Sequence, residues 1–189
     1  VRDAVGGSVE LLVDCDQGWR MPWDTTPPWT YHQAVVVARE LAELGVYWME
    51  EPLHRGNCKG MAALRNAVGL RIAAGEMTRE EYALNDLLDW QSVDVLQPNA
   101  TLTCGITGLA SIAARAARAE VAFTPHTWGN GIGLLANAHL FAGCGGGPWL
   151  EYPCDPPEWT PERRDFALAE PVLIDKAGYI TLPDTPGLG

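Results

Sequence analysis

Short apolar runs alternate with longer stretches of helical spacing along most of this chain, at a nearly constant pace. The runs close at Asp14, Glu50, Glu76, Asn99, His126 and Glu151. From Glu50 onward, successive ends lie 26 (50 to 76), 23 (76 to 99), 27 (99 to 126) and 25 (126 to 151) residues apart. A strand, a helix and two short connections fill such an interval, and strands separated by helices lie parallel in one sheet. The first interval is longer, 36 residues (14 to 50), and its excess matches the Pro/Trp-rich loop RMPWDTTPPWT at Arg20–Thr30.

The pattern predicts strands over Val9–Asp14, Val46–Glu50, Arg71–Gly75, Val93–Gln97, Val121–Thr124 and Trp149–Tyr152. It predicts helices over His32–Leu44, with Gly45 as a C-terminal stop, and over Lys59–Ala67, Ile106–Arg118 and Ile132–Ala142. A further helix is expected over Arg79–Trp90, capped by Thr78 with Glu81 completing a T-x-x-E box. The six units fall short of the eight that close a barrel of typically about 250 residues. The expected fold is therefore α/β, a partial TIM-type (β/α) barrel over residues 1–152. The Pro-rich, acidic segment 153–189 reads as an extension wrapped over it.

Composition narrows the function classes. With 47% hydrophobic residues and eight Trp, the chain reads as globular. No apolar run approaches the roughly 20 residues of a membrane span, and the N-terminus lacks the layout of a signal peptide. A net charge of −11 argues against nucleic acid and anionic membrane as partners. Five Cys, an odd count without a CxxC, argue against a disulfide framework or structural zinc, and for a cytoplasmic setting.

In β/α barrels the active site gathers at the C-terminal ends of the strands. Asp14, Glu50 and Glu76 end three successive units, which brings three carboxylates toward one volume. Each alone reads equally as a helix cap or a surface charge. Together they suggest a hard cation, because oxygen ligands without Cys and with little His suit Mg²⁺ or Mn²⁺ rather than zinc. His126, in TPHTWGNG, shares the predicted face and is a candidate acid or base. His32, His54 and His139 fall in helix or loop contexts and read as structural. The glycines at Gly129–Gly133 read as a tight turn into a helix. Trp128 and the Trp23/Trp29 loop either shape a pocket or pack.

Taken in order, VDCDQGW, YWMEEPL, AAGEM, DVLQPN…CGIT, TPHTWGNGIGL and PWLEYP resemble the barrel domain of the enolase superfamily, in its mandelate racemase-like subgroup. The resemblance runs from the family's third barrel strand to its C-terminal extension, so that strands 3–8 and the tail are represented. It implies Mg²⁺ held by Asp14, Glu50 and Glu76, with the first Glu of the EEP motif as ligand rather than Glu51. It makes His126 the acid/base of the seventh strand, with Asn99 as its partner. Glu151 becomes the eighth-strand carboxyl facing the substrate. Asp16 stands where the family commonly has Asn, and with Trp128 it is expected to line the substrate side.

The chemistry implied is removal of the weakly acidic proton α to a carboxylate, with metal and electrostatic stabilisation of the enediolate. The expected activity is dehydration of a small-molecule sugar acid; racemase, epimerase or cycloisomerase chemistry is the alternative. A non-catalytic remnant or interaction domain is the alternative of another class. A zinc hydrolase would need several strand-end His ligands, and only His126 qualifies.

Two departures from the family stand out. Asn99 occupies a position where Asp is common, and is expected to orient His126 through its carbonyl without adding charge. The second-strand lysine motif is missing, since Lys59 and Lys176 do not occupy its place. That motif, two strands and a lid domain, against which the tail would also pack, are expected to lie upstream. A homo-oligomer is expected at full length. An unclosed barrel is expected to expose strand edges and to be poorly soluble or inactive alone.

Overall fold

A computed structural model describes all residues, Val1–Gly189. Its core is a five-stranded, all-parallel sheet in sequential order. The strands are β1 (Leu12–Asp14), β2 (Trp48–Glu50), β3 (Arg71–Ala74), β4 (Val95–Leu96) and β5 (Ala122–Phe123). Between them run helices α2 (Tyr31–Glu43), α3 (Cys58–Ala67), α4 (Glu81–Asp89) and α5 (Gly105–Arg118), followed by α6 (Gly131–Cys144). Short helices α1 (Arg2–Val5) and α7 (Pro161–Arg164) flank this frame. The order β1 to β5 with a helix after each strand is a run of right-sized β/α units.

The helices hold the sheet through apolar stripes at helical spacing. In α4, Leu84, Leu87 and Leu88 are buried; in α5, Leu109, Ile112, Ala113 and Ala116. They join Ile72, Leu96 and Leu64 in one core of 23 buried residues, large enough to tie every β/α unit to its neighbours. Each fully buried Leu contributes about 2 kcal/mol relative to exposure. Capping agrees with local sequence at α2, where Thr30 and Gln33 form a reciprocal box, and at α6, where Asn130 accepts from the Gly133 N–H.

Helix α6 is apolar almost all round, with Leu134, Leu135, Ala136, Ala138 and Leu140 buried. Such a helix needs cover on more than one face. The C-terminal segment supplies it. A Cβ on Gly131 would lie 2.6 Å from Leu168 and 2.4 Å from Asp165. Leu135 shares a cavity with Leu168, Val172 and Tyr179. The segment is pinned by Arg164, fully buried, which pairs with Asp165 at 2.7 Å and donates to the Pro153 and Val172 carbonyls.

Three expectations need correction. Trp149–Tyr152 does not form a ladder strand. It lies beside the end of β5, where the Thr124 hydroxyl donates to the Trp149 carbonyl. The next residue, Pro125, has no N–H to continue the pairing. Thr78 does not cap α4, which begins at Glu81 after Glu80 with no side-chain cap. Thr78 is instead buried, with its carbonyl accepting from Thr103 Oγ1. The first strand is Leu12–Asp14 only, and Val9 is exposed.

Candidate functional site

The strand ends set the geometry. Register places Asp14 opposite Glu50 and Glu50 opposite Ala73, with Glu76 just beyond β3. One carboxylate oxygen from each of Asp14, Glu50 and Glu76 lies within 4.8 Å of the others. Glu50 and Glu76 are buried, whereas Asp14 is exposed toward the open side beyond β1. Three acids this close, with no Lys or Arg bonded to them, should hold protons or a cation. Burial raises Glu50 and Glu76 each to about 8. Asp14 rises to about 6, chiefly by desolvation; its open position and the Asp16 N–H, 2.9 Å from its Oδ1, keep the rise smaller. The donor set is all oxygen, as magnesium or manganese prefers.

Glu51, the second residue of the EEP motif, points elsewhere. Its Oε1 accepts from the Gly75 N–H at 2.7 Å and the Glu76 N–H at 3.4 Å. Its Oε2 is buried without a hydrogen-bond partner, and a Cβ on Gly18 would lie 1.7 Å from it. Glu51 thus clamps the backbone that carries Glu76, and Gly18 is the residue that leaves it room. Burial raises its carboxyl to about 7. Cys15, between Asp14 and Asp16, has its thiol pushed up to about 12 by burial and by the neighbouring acids.

Asn99, His126 and Glu151 form the other side. His126 Nε2 lies 3.3 Å from Glu76 Oε2, and Nδ1 lies 3.1 Å from Asn99 Nδ2. Burial pushes the imidazole pKa down, and the Glu151 charge only partly opposes this. Neither His126 nor Glu76 therefore favours its charged form, and their contact is a hydrogen bond rather than an ion pair. Glu151 Oε2 accepts from the backbone N–H groups of Thr127 and Trp128. The Asn99 carbonyl faces away from His126, toward Thr101 and Asn137. The expected orientation through the carbonyl is thereby corrected: the NH₂ group faces the ring.

Asp16 lines a cavity of about 640 Å³ formed by the 16–29 loop. Trp128 has a half-exposed ring, and its backbone, not its indole, engages Glu151. Two residues escaped sequence reasoning. Trp19 Nε1 donates to Glu76 Oε1 from the same loop cavity, and no periodicity marks it. Gln97 is buried, lines a cavity with Asp14, Glu50 and Glu151, and stabilises the Glu50 carboxylate. Its place at the end of a predicted strand was the available signal.

Parallel β/α units carrying an oxygen-only cluster at their strand ends, faced by a histidine, define a partial β/α-barrel domain with a candidate cation site. The family described as enolase C-terminal domain-like matches residues 1–189, and the chain belongs to it. It is 29% identical to the D-galactarolactone cycloisomerase of Agrobacterium fabrum, over 100% of this chain and 48% of that protein. Among solved structures, a candidate mandelate racemase from Bordetella bronchiseptica RB50, complexed with 2-oxoglutarate/phosphate, aligns at TM-score 0.85 and 35% identity. That alignment covers 100% of this chain and 47% of that one. L-talarate dehydratase from Polaromonas sp. JS666, complexed with Mg and L-glucarate, aligns at TM-score 0.81 and 29% identity, over 100% of this chain and 46% of that one. Further curated relatives are arabinonate, L-talarate/galactarate, D-xylonate and D-gluconate dehydratases. The chain spans about half the length of the curated relatives it matches over its whole length, or less.

Proposed function

We propose that this chain is the metal-binding part of a sugar-acid dehydratase, using Mg²⁺ or in its place Mn²⁺. The observation that carries the reading is the cluster of Asp14, Glu50 and Glu76, two buried acids and one exposed, all three raised in pKa and lacking a counter-charge. A divalent cation there supplies positive charge that offsets the three carboxylates and favours a bound carboxylate substrate as its α-proton leaves. The residues of this chain do the rest. Asp16 and Trp128 face the substrate side. Glu151, held by two backbone N–H groups, meets the polar end of the substrate. His126 turns Nε2 toward the cluster, where a hydrogen bond to the departing β-hydroxyl would polarise it without transfer of the ring's own proton.

In the overall reaction the α-proton and the β-hydroxyl leave as water. The C–H electron pair becomes the new double bond, and the enol tautomerises to a 2-keto-3-deoxy acid. The base that takes the α-proton belongs to the longer enzyme, as do homo-oligomeric assembly and a cytoplasmic location. Residues 153–189 serve as its C-terminal extension, covering α6. Four dehydratase relatives favour this reaction, while the Agrobacterium fabrum relative favours cycloisomerase chemistry as a second reading.

The longer enzyme carrying this chain, incubated with a library of sugar acids and Mg²⁺, is expected to form a 2-keto acid detectable by semicarbazide. Epimer or lactone isomer without 2-keto acid would instead select the racemase or cycloisomerase alternative. Metal binding with no turnover of any kind would indicate a non-catalytic domain.

A further inference from the structure

The direction of one buried amide decides what His126 presents to the site. Asn137 lies on α6 and is fully buried. Its Oδ1 accepts from the Ala100 backbone N–H at 2.9 Å. Only the oxygen end of an amide can meet an N–H, so the NH₂ end of Asn137 points the other way. It donates to Asn99 Oδ1 at 3.1 Å and to the Gly133 carbonyl at 3.1 Å.

The same logic fixes Asn99. Its Oδ1 also accepts from the Thr101 N–H at 2.9 Å and from Thr101 Oγ1 at 2.8 Å. The Ala100 N–H sets the Asn137 amide directly, and the Asn137 NH₂ group together with Thr101 sets that of Asn99. What remains is the Asn99 NH₂ group, 3.1 Å from His126 Nδ1. That group has hydrogens and no lone pair to offer. A hydrogen on Nδ1 would face another hydrogen, so the ring must carry its hydrogen on Nε2, the nitrogen 3.3 Å from Glu76 Oε2.

We propose that Asn137, acting through Asn99, is a positioning residue that locks His126 in the neutral Nε2–H tautomer. The ring then shows the site a hydrogen-bond donor instead of a lone pair. A neutral imidazole so held polarises an oxygen; it does not accept a carbon-bound proton. The tautomer stands on this geometry alone, while its meaning for catalysis rests on the dehydratase reading. In that reading His126 assists loss of the hydroxyl, and reversible two-base exchange at one carbon is closed to it.

Long-range ¹H–¹⁵N correlation spectra of ¹⁵N-histidine-labelled protein report the tautomer directly. They are taken at alkaline pH, with and without Mg²⁺, and His126→Gln assigns the signals. Wild type is expected to show a pyridine-type Nδ1 and a pyrrole-type Nε2. A pyrrole-type Nδ1 overturns the proposal. In Asn99→Asp the ring faces a carboxylate that only accepts, and the hydrogen is expected to move to Nδ1; an unchanged tautomer also overturns it.

Asn137→Asp offers Asn99 a charged acceptor and is expected to turn that amide over, populating the Nδ1–H form. If that variant does not fold, Asn137→Ala is expected to give a mixture. A pure Nε2–H ring in the variant that folds would remove Asn137 from the device. None of these readings needs substrate, so an inactive protein with an Nε2–H ring keeps this inference while losing the proposed activity.

Discussion

The two sides of the strand-end cluster are built on opposite principles. On one side, Asp14, Glu50 and Glu76 crowd within 4.8 Å with no Lys or Arg paired to them, and their pKa values rise. On the other, Asn99, Asn137 and Thr101 exchange complete hydrogen bonds, so the amides have donors and acceptors matched. The acid side gathers like charges that a cation would offset; the amide side is completed by hydrogen bonds within the fold. The two sides meet at one contact, His126 Nε2 to Glu76 Oε2 at 3.3 Å.

The comparison breaks most readily at Glu50. Replacing one of three oxygen donors with an amide, as in Glu50→Gln, is expected to weaken Mg²⁺ binding by at least about 100-fold, since loss of mere outer partners of a metal site costs 10–100-fold. Calorimetric titration checks this, and unchanged affinity would place the cation elsewhere.

A second contrast is with pH. The folded acids titrate near 6 and 8, above their unfolded values, so in between the folded state holds more protons. Stability of the metal-free protein is therefore full below the unfolded carboxylate range and falls as pH rises toward about 8. Added Mg²⁺ is expected to oppose the fall. Denaturant midpoints across pH, with EDTA or with Mg²⁺, measure it; a metal-free midpoint that climbs from acid to pH 8 contradicts the cluster's assignment.

The smallest effect sharpens the boundary between the loop and the cluster. Trp19→Phe removes the indole donor to Glu76 and is expected to weaken Mg²⁺ about 10-fold, leaving the His126 tautomer unchanged.

Sequence made the β/α frame legible because each unit's apolar pattern is local. Leu84, Leu87 and Leu88 reveal the face of α4 without reference to the rest of the chain. The three acids were legible for the same reason: each sits at the end of its own strand. What sequence concealed depends on contacts between distant segments. Trp149–Tyr152 reads as a strand by composition, yet Thr124 and Pro125 at its neighbour decide whether a ladder forms. The turn of the Asn99 amide depends on Asn137, 38 residues away, as well as on neighbouring Thr101. A lone Asn inside the apolar helix GLLANAHLFA was the one visible hint.

The buried thiol of Cys15 has a practical consequence. With its pKa near 12 it stays protonated at ordinary pH, and the thiol form is a poor nucleophile. Cys104 and Cys154, by contrast, are exposed. Maleimide chemistry should therefore attach a fluorophore or spin label at these exposed positions and spare the cysteine beside the acids. The chain thus offers built-in attachment points from which movement around the cluster can be followed without engineering the cluster itself.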